Sequence, residues 1–177
     1  MEKIDLFIKK PTRILFESLG ISGDTEKMNY LYTHAPHLAQ RYFTCEDWVE
    51  LCQHQKKFDT RTDLLRRAVS VIGSIEDCKR VFCEDRRYEF FHEIKVKAVE
   101  YCVSFEDILE TICTFELTQD ENDYNKYGKK LVKRAINLVA TPEDVDKFTG
   151  VVPIDDTDSI LELGEKARRI CPDLFES

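Results

Sequence analysis

The chain lacks long apolar runs and has little glycine or proline. No stretch approaches the roughly 18 apolar residues that a membrane-spanning helix needs, so we expect no membrane span. Six glycines and five prolines are few, as a mostly helical chain requires. No segment shows the alternating pattern of a β-strand. The first residues also lack a basic start followed by an apolar stretch, and we therefore expect no cleavable signal peptide.

Known catalytic motifs are missing as well. The sequence contains no glycine-rich phosphate loop, no G-x-S-x-G nucleophile elbow and no H-E-x-x-H motif. We therefore expect no enzymatic activity, no cofactor and no metal site. The net charge of −8 disfavours general binding of nucleic acid, which requires a basic surface.

The cysteine content points to a reducing compartment. Seven cysteines are an odd number, none forms a C-x-x-C motif, and a secretion signal is not expected. Free thiols in a cytoplasmic or other intracellular setting fit this pattern better than a disulfide framework. The cytosol of a host cell is the corresponding expectation if the protein is a delivered effector.

A hydroxyl residue followed by Glu and Asp at the second and third positions occurs four times. A Ser or Thr at a helix N-cap accepts a hydrogen bond from a free backbone N–H, and an acidic residue three positions later can bond back to the cap. Asp stands here where Glu or Gln is usual. The fourfold recurrence favours capping over acid–base catalysis for these carboxylates. The hydroxyl residues are 30, 30 and 37 positions apart: Thr44, Ser74, Ser104 and Thr141.

Apolar residues recur at helical spacing on both sides of each cap. Each unit therefore predicts a first helix, A, then a tight turn, then a second helix, B. We predict an all-α fold: a short right-handed α-solenoid of about four repeats of about 30 residues, with capping helices at both ends. The predicted A helices of the third and fourth repeats span 88–103 and 124–140, and Thr25 is expected to cap an earlier helix.

We expect one helical-repeat domain over residues 1–177. Residues 1–36 would form an N-terminal cap or a degenerate repeat, with a short lead-in and a helix from about Thr12. Residues 37–150 carry the repeats, and 151–177 form a C-terminal capping helix and tail. An acidic loop at 116–123 accounts for the longer third interval.

Basic residues also occupy an equivalent position, seven residues before the three later caps. Stacked repeats would place Arg67, Lys97 and Arg134 in a row, with Arg66 and Lys133 beside them. Such a stripe is a binding track for an acidic peptide or phosphate group, a solvated face, or a set of ion pairs between repeats with the acidic cap residues. Since the position also accepts histidine in the first repeat, we expect that reversing its charge leaves the fold intact.

Two tyrosines begin the predicted third and fourth A helices. An aromatic residue there is either a core anchor or an interface hot spot. The partner-binding candidates are therefore Arg66, Arg67, Lys97, Lys133, Arg134, Tyr88 and Tyr124.

These patterns favour a protein–protein interaction module or adaptor. Its partner would be another protein or peptide with an acidic segment, bound along the stacked helices. One alternative is a small intracellular enzyme with a Cys/His site, for example Cys52 with a histidine. Another is an acidic binder or inhibitor of a basic protein, such as a bacterial protein delivered into host cells.

Overall fold

The structure, a computed structural model, describes residues 2–85 and 89–172. Every regular element in these ranges is a helix, which confirms the all-α prediction. The helices are α1 (Glu2–Lys9), α2 (Arg13–Ser18), α3 (Thr25–His34), α4 (Pro36–Tyr42), α5 (Cys45–Gln53), α6 (Phe58–Ser70), α7 (Ile75–Glu84), α8 (Phe91–Tyr101), α9 (Phe105–Thr114), α10 (Glu121–Asp123), a π-helical turn (Tyr124–Gly128), α11 (Lys129–Leu138), α12 (Pro142–Thr149) and α13 (Thr157–Ile170).

The chain forms two compact units, residues 1–94 and 95–177. In the first unit α5 packs against α6, α7 and α3, and α3 packs against α4. In the second unit α11 packs against α9 and α13, and α13 also packs against α12. Within the part of the chain that the structure describes, no helix is long and apolar enough to cross a membrane.

The four repeated caps begin α5, α7, α9 and α12. Each cap hydroxyl accepts a hydrogen bond of 3.1–3.2 Å from the backbone N–H three residues later. The Asp returns a bond to the cap's own N–H at Thr44, Ser104 and Thr141. At Ser74 the carboxylate of Asp77 accepts instead from the N–H of Gly73, at 3.0 Å. The predicted capping is confirmed at all four positions.

At two of the four caps the aspartate satisfies more backbone than a standard capping box does. Asp107 accepts from the N–H of its cap and also from the N–H of Val103, one residue earlier. Asp144 does the same with the N–H of Ala140, at 3.0 Å. The short side chain therefore secures both the helix start and the turn before it.

Several helices begin or end at residues other than those predicted from the sequence. The first residues form α1 rather than a lead-in, and Asp24, not Thr25, caps α3 by accepting from the N–H of Lys27 at 3.1 Å. The third A helix spans Phe91–Tyr101, shorter than predicted. The fourth begins with α10 and a π-helical turn, because Asp120 caps this start four residues before Tyr124.

The π-helical turn depends on a glycine. A Cβ atom at Gly128 would stand 2.3 Å from the carbonyl oxygen of Leu117, so only glycine allows this close approach. The connection after α9 thus packs directly against the turn. This packing positions Thr118 and Gln119 beside the start of α11.

Aromatic side chains build much of the core of the first unit. Trp48 is fully buried, and its ring centroid lies 5.0 Å from that of Phe43 and 5.8 Å from that of Tyr32. Phe7, Phe16 and Tyr42 form a second group, with centroids 5.3–5.8 Å apart. Edge and offset contacts of this kind add to the free energy gained from burial alone.

Candidate functional site

Arg67, the predicted stripe residue of the first unit, is engaged in packing. Its guanidinium donates to the carboxylate of Asp63 and to the amide oxygen of Gln40, each at 2.9 Å. The guanidinium carbon also lies 5.5 Å from the ring centroids of both Tyr32 and Trp48. The hydrogen bond to Asp63 raises the pKa of Arg67 above its ordinary value. These contacts are typical of a side chain that joins α6 to the core.

Arg134, the stripe residue of α11, donates hydrogen bonds to backbone carbonyl groups at the end of α8. Its guanidinium donates to the carbonyl oxygen of Cys102 at 2.6 Å and to that of Val99 at 3.5 Å. Carbonyl groups at a helix C-terminus lack partners within the helix and carry partial negative charge, so a cation stabilises them. Arg134 is half-buried in this position. Its contacts argue against the expectation that charge reversal leaves the fold intact.

The lysines of the stripe are placed differently. Lys97 is half-buried and Lys133 is exposed, and neither has an ion-pair partner among the residues that the structure describes. In the first unit Arg66 is exposed, with its guanidinium carbon 5.8 Å from the ring centroid of Phe90. The cationic candidates therefore divide into two arginines used for packing, the half-buried Lys97, and the exposed Arg66 and Lys133.

Three exposed lysines follow one side of the fourth A helix. Lys126 lies in the π-helical turn, with Lys130 and Lys133 four and seven residues later. Residues at this spacing lie on the same side of a helix, so we call Lys126, Lys130 and Lys133 the lysine face. Lys130 and Lys133 have no ion-pair partner within 2–85 and 89–172, while the ammonium of Lys126 lies 5.4 Å from the Tyr127 ring centroid.

Two exposed apolar residues flank the contact that Arg134 makes with α8. Val103 follows Cys102 directly and is 78% exposed, and Leu138 lies one turn after Arg134 and is 43% exposed. Lys130, Arg134 and Leu138 are spaced four residues apart, so they form one line along α11. We call Val103 and Leu138 the apolar end of the lysine face. Sequence analysis did not identify this pair, because the i, i+4, i+8 spacing includes Leu138 but not Val103.

Tyr124 lies at the other end of this helix, in a polar cavity of about 430 Å³. Its hydroxyl donates to the carboxylate of Asp156, the N-cap of α13, which also accepts from the backbone and hydroxyl of Ser159. Burial, together with the bond to Asp156, raises the pKa of Tyr124 to about 12. Although burial opposes it, hydrogen bonds from Ser159 and Tyr124 lower the pKa of Asp156.

The hydrogen bond between Tyr124 and Asp156 has a structural role, and the cavity lies beside it. Both carboxylate oxygens of Asp156 accept hydrogen bonds within the protein, and the residue is buried. Glu121, Asn125 and Lys129 line the remaining wall. Tyr88, the other predicted tyrosine, lies outside the residues that the structure describes.

A second groove, of about 610 Å³, is lined by residues of α5 and α7 and by the C-cap of α5. Arg80 spans it, 3.6 Å from the carboxylate of Glu46 and 3.5 Å from that of Asp77. His54 and Cys83 lie on its walls. Over the described ranges, no three metal-ligating side chains form a group that fits a metal ion.

Most cysteines are buried in the core. Cys52 is fully buried, with its sulfur 3.7 Å from the carbonyl oxygen of Arg61. Burial raises the pKa of Cys45 to about 12 and also raises the pKa of Cys102. A raised pKa lowers the fraction of reactive thiolate. Cys83 and Cys113 are exposed, Cys171 is half-buried, and no disulfide joins any of the seven cysteines, which all lie in the described ranges.

Comparisons with protein-family models, with curated proteins and with solved structures give no match for this chain. A functional proposal therefore depends on the geometry of these surfaces.

Proposed function

We propose that this protein is a protein–protein interaction module whose helical hairpins stack as a short α-solenoid. A partner protein or peptide binds along the outer side of the A helices. Solenoids of this type bury one face of each helix between neighbours and leave an extended surface for binding. The partner carries an acidic segment, because this side includes the exposed Lys130 and Lys133, which have no acidic partner among the described residues.

Contacts between successive repeats support the stacking. In the first unit the sulfur of Cys45 lies 4.0 Å from the carbonyl oxygen of Asp77. Asp77 stands two residues after the position in the next repeat that is equivalent to Cys45. In the second unit Arg134 reaches the carbonyl of Cys102, which is 32 positions earlier. Both contacts join residues separated by about one repeat length, as neighbouring solenoid units require.

The division among the cationic residues carries the binding proposal. Arg67 and Arg134 use their hydrogen-bonding groups within the protein. Lys130 and Lys133 are exposed and have no acidic partner among the described residues. Unpaired cations on a chain of net charge −8 form a local site where an acidic partner is attracted and oriented.

Cross-linking in the source cells followed by reconstitution tests the module function. The protein is cross-linked, the retained proteins are identified by mass spectrometry, and each is purified and titrated by calorimetry. We expect at least one partner to form a complex of defined stoichiometry. If no retained protein binds in the purified system, the module function is wrong.

The groove between α5 and α7 supports a second candidate, a thiol-dependent enzyme. Its walls include His54 and the exposed Cys83, and a histidine can activate a thiol. Cys113 is a matched control, since it is also exposed and stands at the same distance from its own cap. Alkylation of Cys83 about tenfold faster than that of Cys113 would favour this candidate, whereas equal rates would exclude an activated thiol.

A further inference from the structure

The lysine face and its apolar end form one outward surface of the second unit. Lys130 and Leu138 lie on either side of Arg134 along α11, and Lys126 and Lys133 occupy the adjacent line. Arg134 fixes Val103 beside this surface by its 2.6 Å bond to the carbonyl of Cys102. This backbone contact brings Val103, which follows Cys102 directly, to the side of α11 that Arg134 occupies.

We infer that this surface binds an acidic, partly apolar peptide segment of another protein. The inference rests on the proposed function and adds the site and the class of partner. Three lysines over about 10 Å of helix complement a few carboxylates, not a long polyanion. Val103 and Leu138 supply the apolar contact that an anchor residue at one end of the segment needs.

The spacing of the lysines fits such a segment. Neighbouring positions on one helix side are about 6 Å apart, and alternate side chains of an extended peptide are about 7 Å apart. Carboxylates at every second position of an extended segment can therefore follow the lysine face. A nucleic acid or an anionic membrane would face much more of the protein surface than a short peptide does. The net charge of −8 therefore disfavours both of these partners.

Selection from a displayed library of random linear peptides tests this inference without knowledge of the natural partner. The full protein is immobilised, and enriched peptides are sequenced. We expect enriched peptides to carry net negative charge and at least one large apolar residue. Enrichment of neutral or basic peptides would overturn the inference.

An enriched peptide then serves as the probe for variants. The variant Lys130→Glu/Lys133→Glu should bind it about tenfold more weakly or worse, and Val103→Ser should also weaken binding. The matched control Lys56→Glu/Lys57→Glu reverses two exposed lysines of the first unit and should change affinity by less than about twofold. Lys130→Gln/Lys133→Gln, which only removes the charges, should give a smaller loss in the same direction.

The outcomes separate the inference from the function on which it rests. Enriched peptides that bind all variants equally would overturn the inference but would not contradict the proposed function as an interaction module. If no peptide is enriched and the cross-linking test also fails, both are wrong. Binding of short DNA or anionic vesicles that is lost in the Lys130/Lys133 variants, without peptide binding, would overturn the inference in favour of a polyanion site.

Discussion

The guanidinium of Arg134 in α11 donates a 2.6 Å hydrogen bond to the carbonyl oxygen of Cys102, just beyond the end of α8. The adjacent residue, Lys133, is exposed and contacts no acidic side chain in the described parts of the chain. Two neighbouring cations therefore have different roles. One closes the end of a helix, and the other remains open to solvent.

This difference predicts unequal effects of charge reversal at adjacent positions. Arg134→Glu removes the bonds to the carbonyls of Cys102 and Val99 and should lower the free energy of unfolding by about 1.5–3 kcal/mol, the range for hydrogen bonds from charged groups. Lys133→Glu should change it by less than about 0.5 kcal/mol, as at other surface sites. Urea denaturation followed by circular dichroism measures both, and equal effects would contradict the assignment.

The repeated caps should contribute to stability. Ser74→Ala and Ser104→Ala each remove the acceptor for the first-turn N–H of Asp77 or Asp107, and should each cost about 1 kcal/mol. Ser18→Ala is a control, because the hydroxyl of Ser18 is exposed and donates only to a carbonyl within its own short helix. Unchanged denaturant midpoints in both cap variants would show that the caps are energetically neutral.

The thiols should divide into fast and slow groups. Cys83 and Cys113 are exposed, and the half-buried Cys171 should follow them. The remaining four are buried and should react only after unfolding. Titration with a chromogenic disulfide reagent, with and without urea, counts both groups. Rapid reaction of all seven in the native protein would contradict the packing of the core.

The Tyr124–Asp156 bond predicts a loss of stability at alkaline pH. The pKa of Tyr124 rises from 10.0 to about 12, so the unfolded chain loses this proton before the native protein does. The contribution is complete below pH 10 and is lost as pH rises towards 12. Thermal unfolding of wild type and Tyr124→Phe should converge over this range.

The Tyr124–Asp156 pair should also lose stability at acidic pH, because the pKa of Asp156 is lowered whereas that of Tyr124 is raised. The pKa of Asp156 lies below its ordinary value of 3.8, so its stabilising effect is present above that pH and disappears as pH falls through the native value.

Near neutral pH, Tyr124→Phe should be about 1 kcal/mol less stable than wild type. A constant difference between the two proteins from pH 7 to 12 would contradict the raised pKa.

The sequence predicted the helical class and the caps because both depend on local rules. A Ser or Thr followed by Glu and Asp at the second and third positions specifies a helix start from neighbouring atoms alone, and all four such starts are present. Thr25 failed as a cap for an equally local reason, since Asp24 precedes it and its carboxylate accepts from the N–H of Lys27. The π-helical turn was missed because it depends on the distant carbonyl of Leu117.

The candidate surface could be predicted only in part. Position in the sequence repeat grouped Arg67, Lys97 and Arg134 together, but it could not separate cations used for packing from free ones. That separation depends on tertiary partners: Asp63 and Gln40 for Arg67, and backbone carbonyls for Arg134. The role of Val103 also required the structure, because Arg134 brings the end of α8 to α11 from 32 positions away.

Calorimetric titration of a purified natural partner with three forms of the protein tests the interaction module most directly. The forms are wild type, Lys130→Glu/Lys133→Glu and the control Lys56→Glu/Lys57→Glu, each checked for an unchanged circular-dichroism spectrum. We predict a stoichiometric complex with wild type and control, and binding at least about tenfold weaker in the Lys130/Lys133 variant, equivalent to about 1.4 kcal/mol. Equal affinity for all three forms, or a partner segment without acidic residues, would contradict binding on the lysine face.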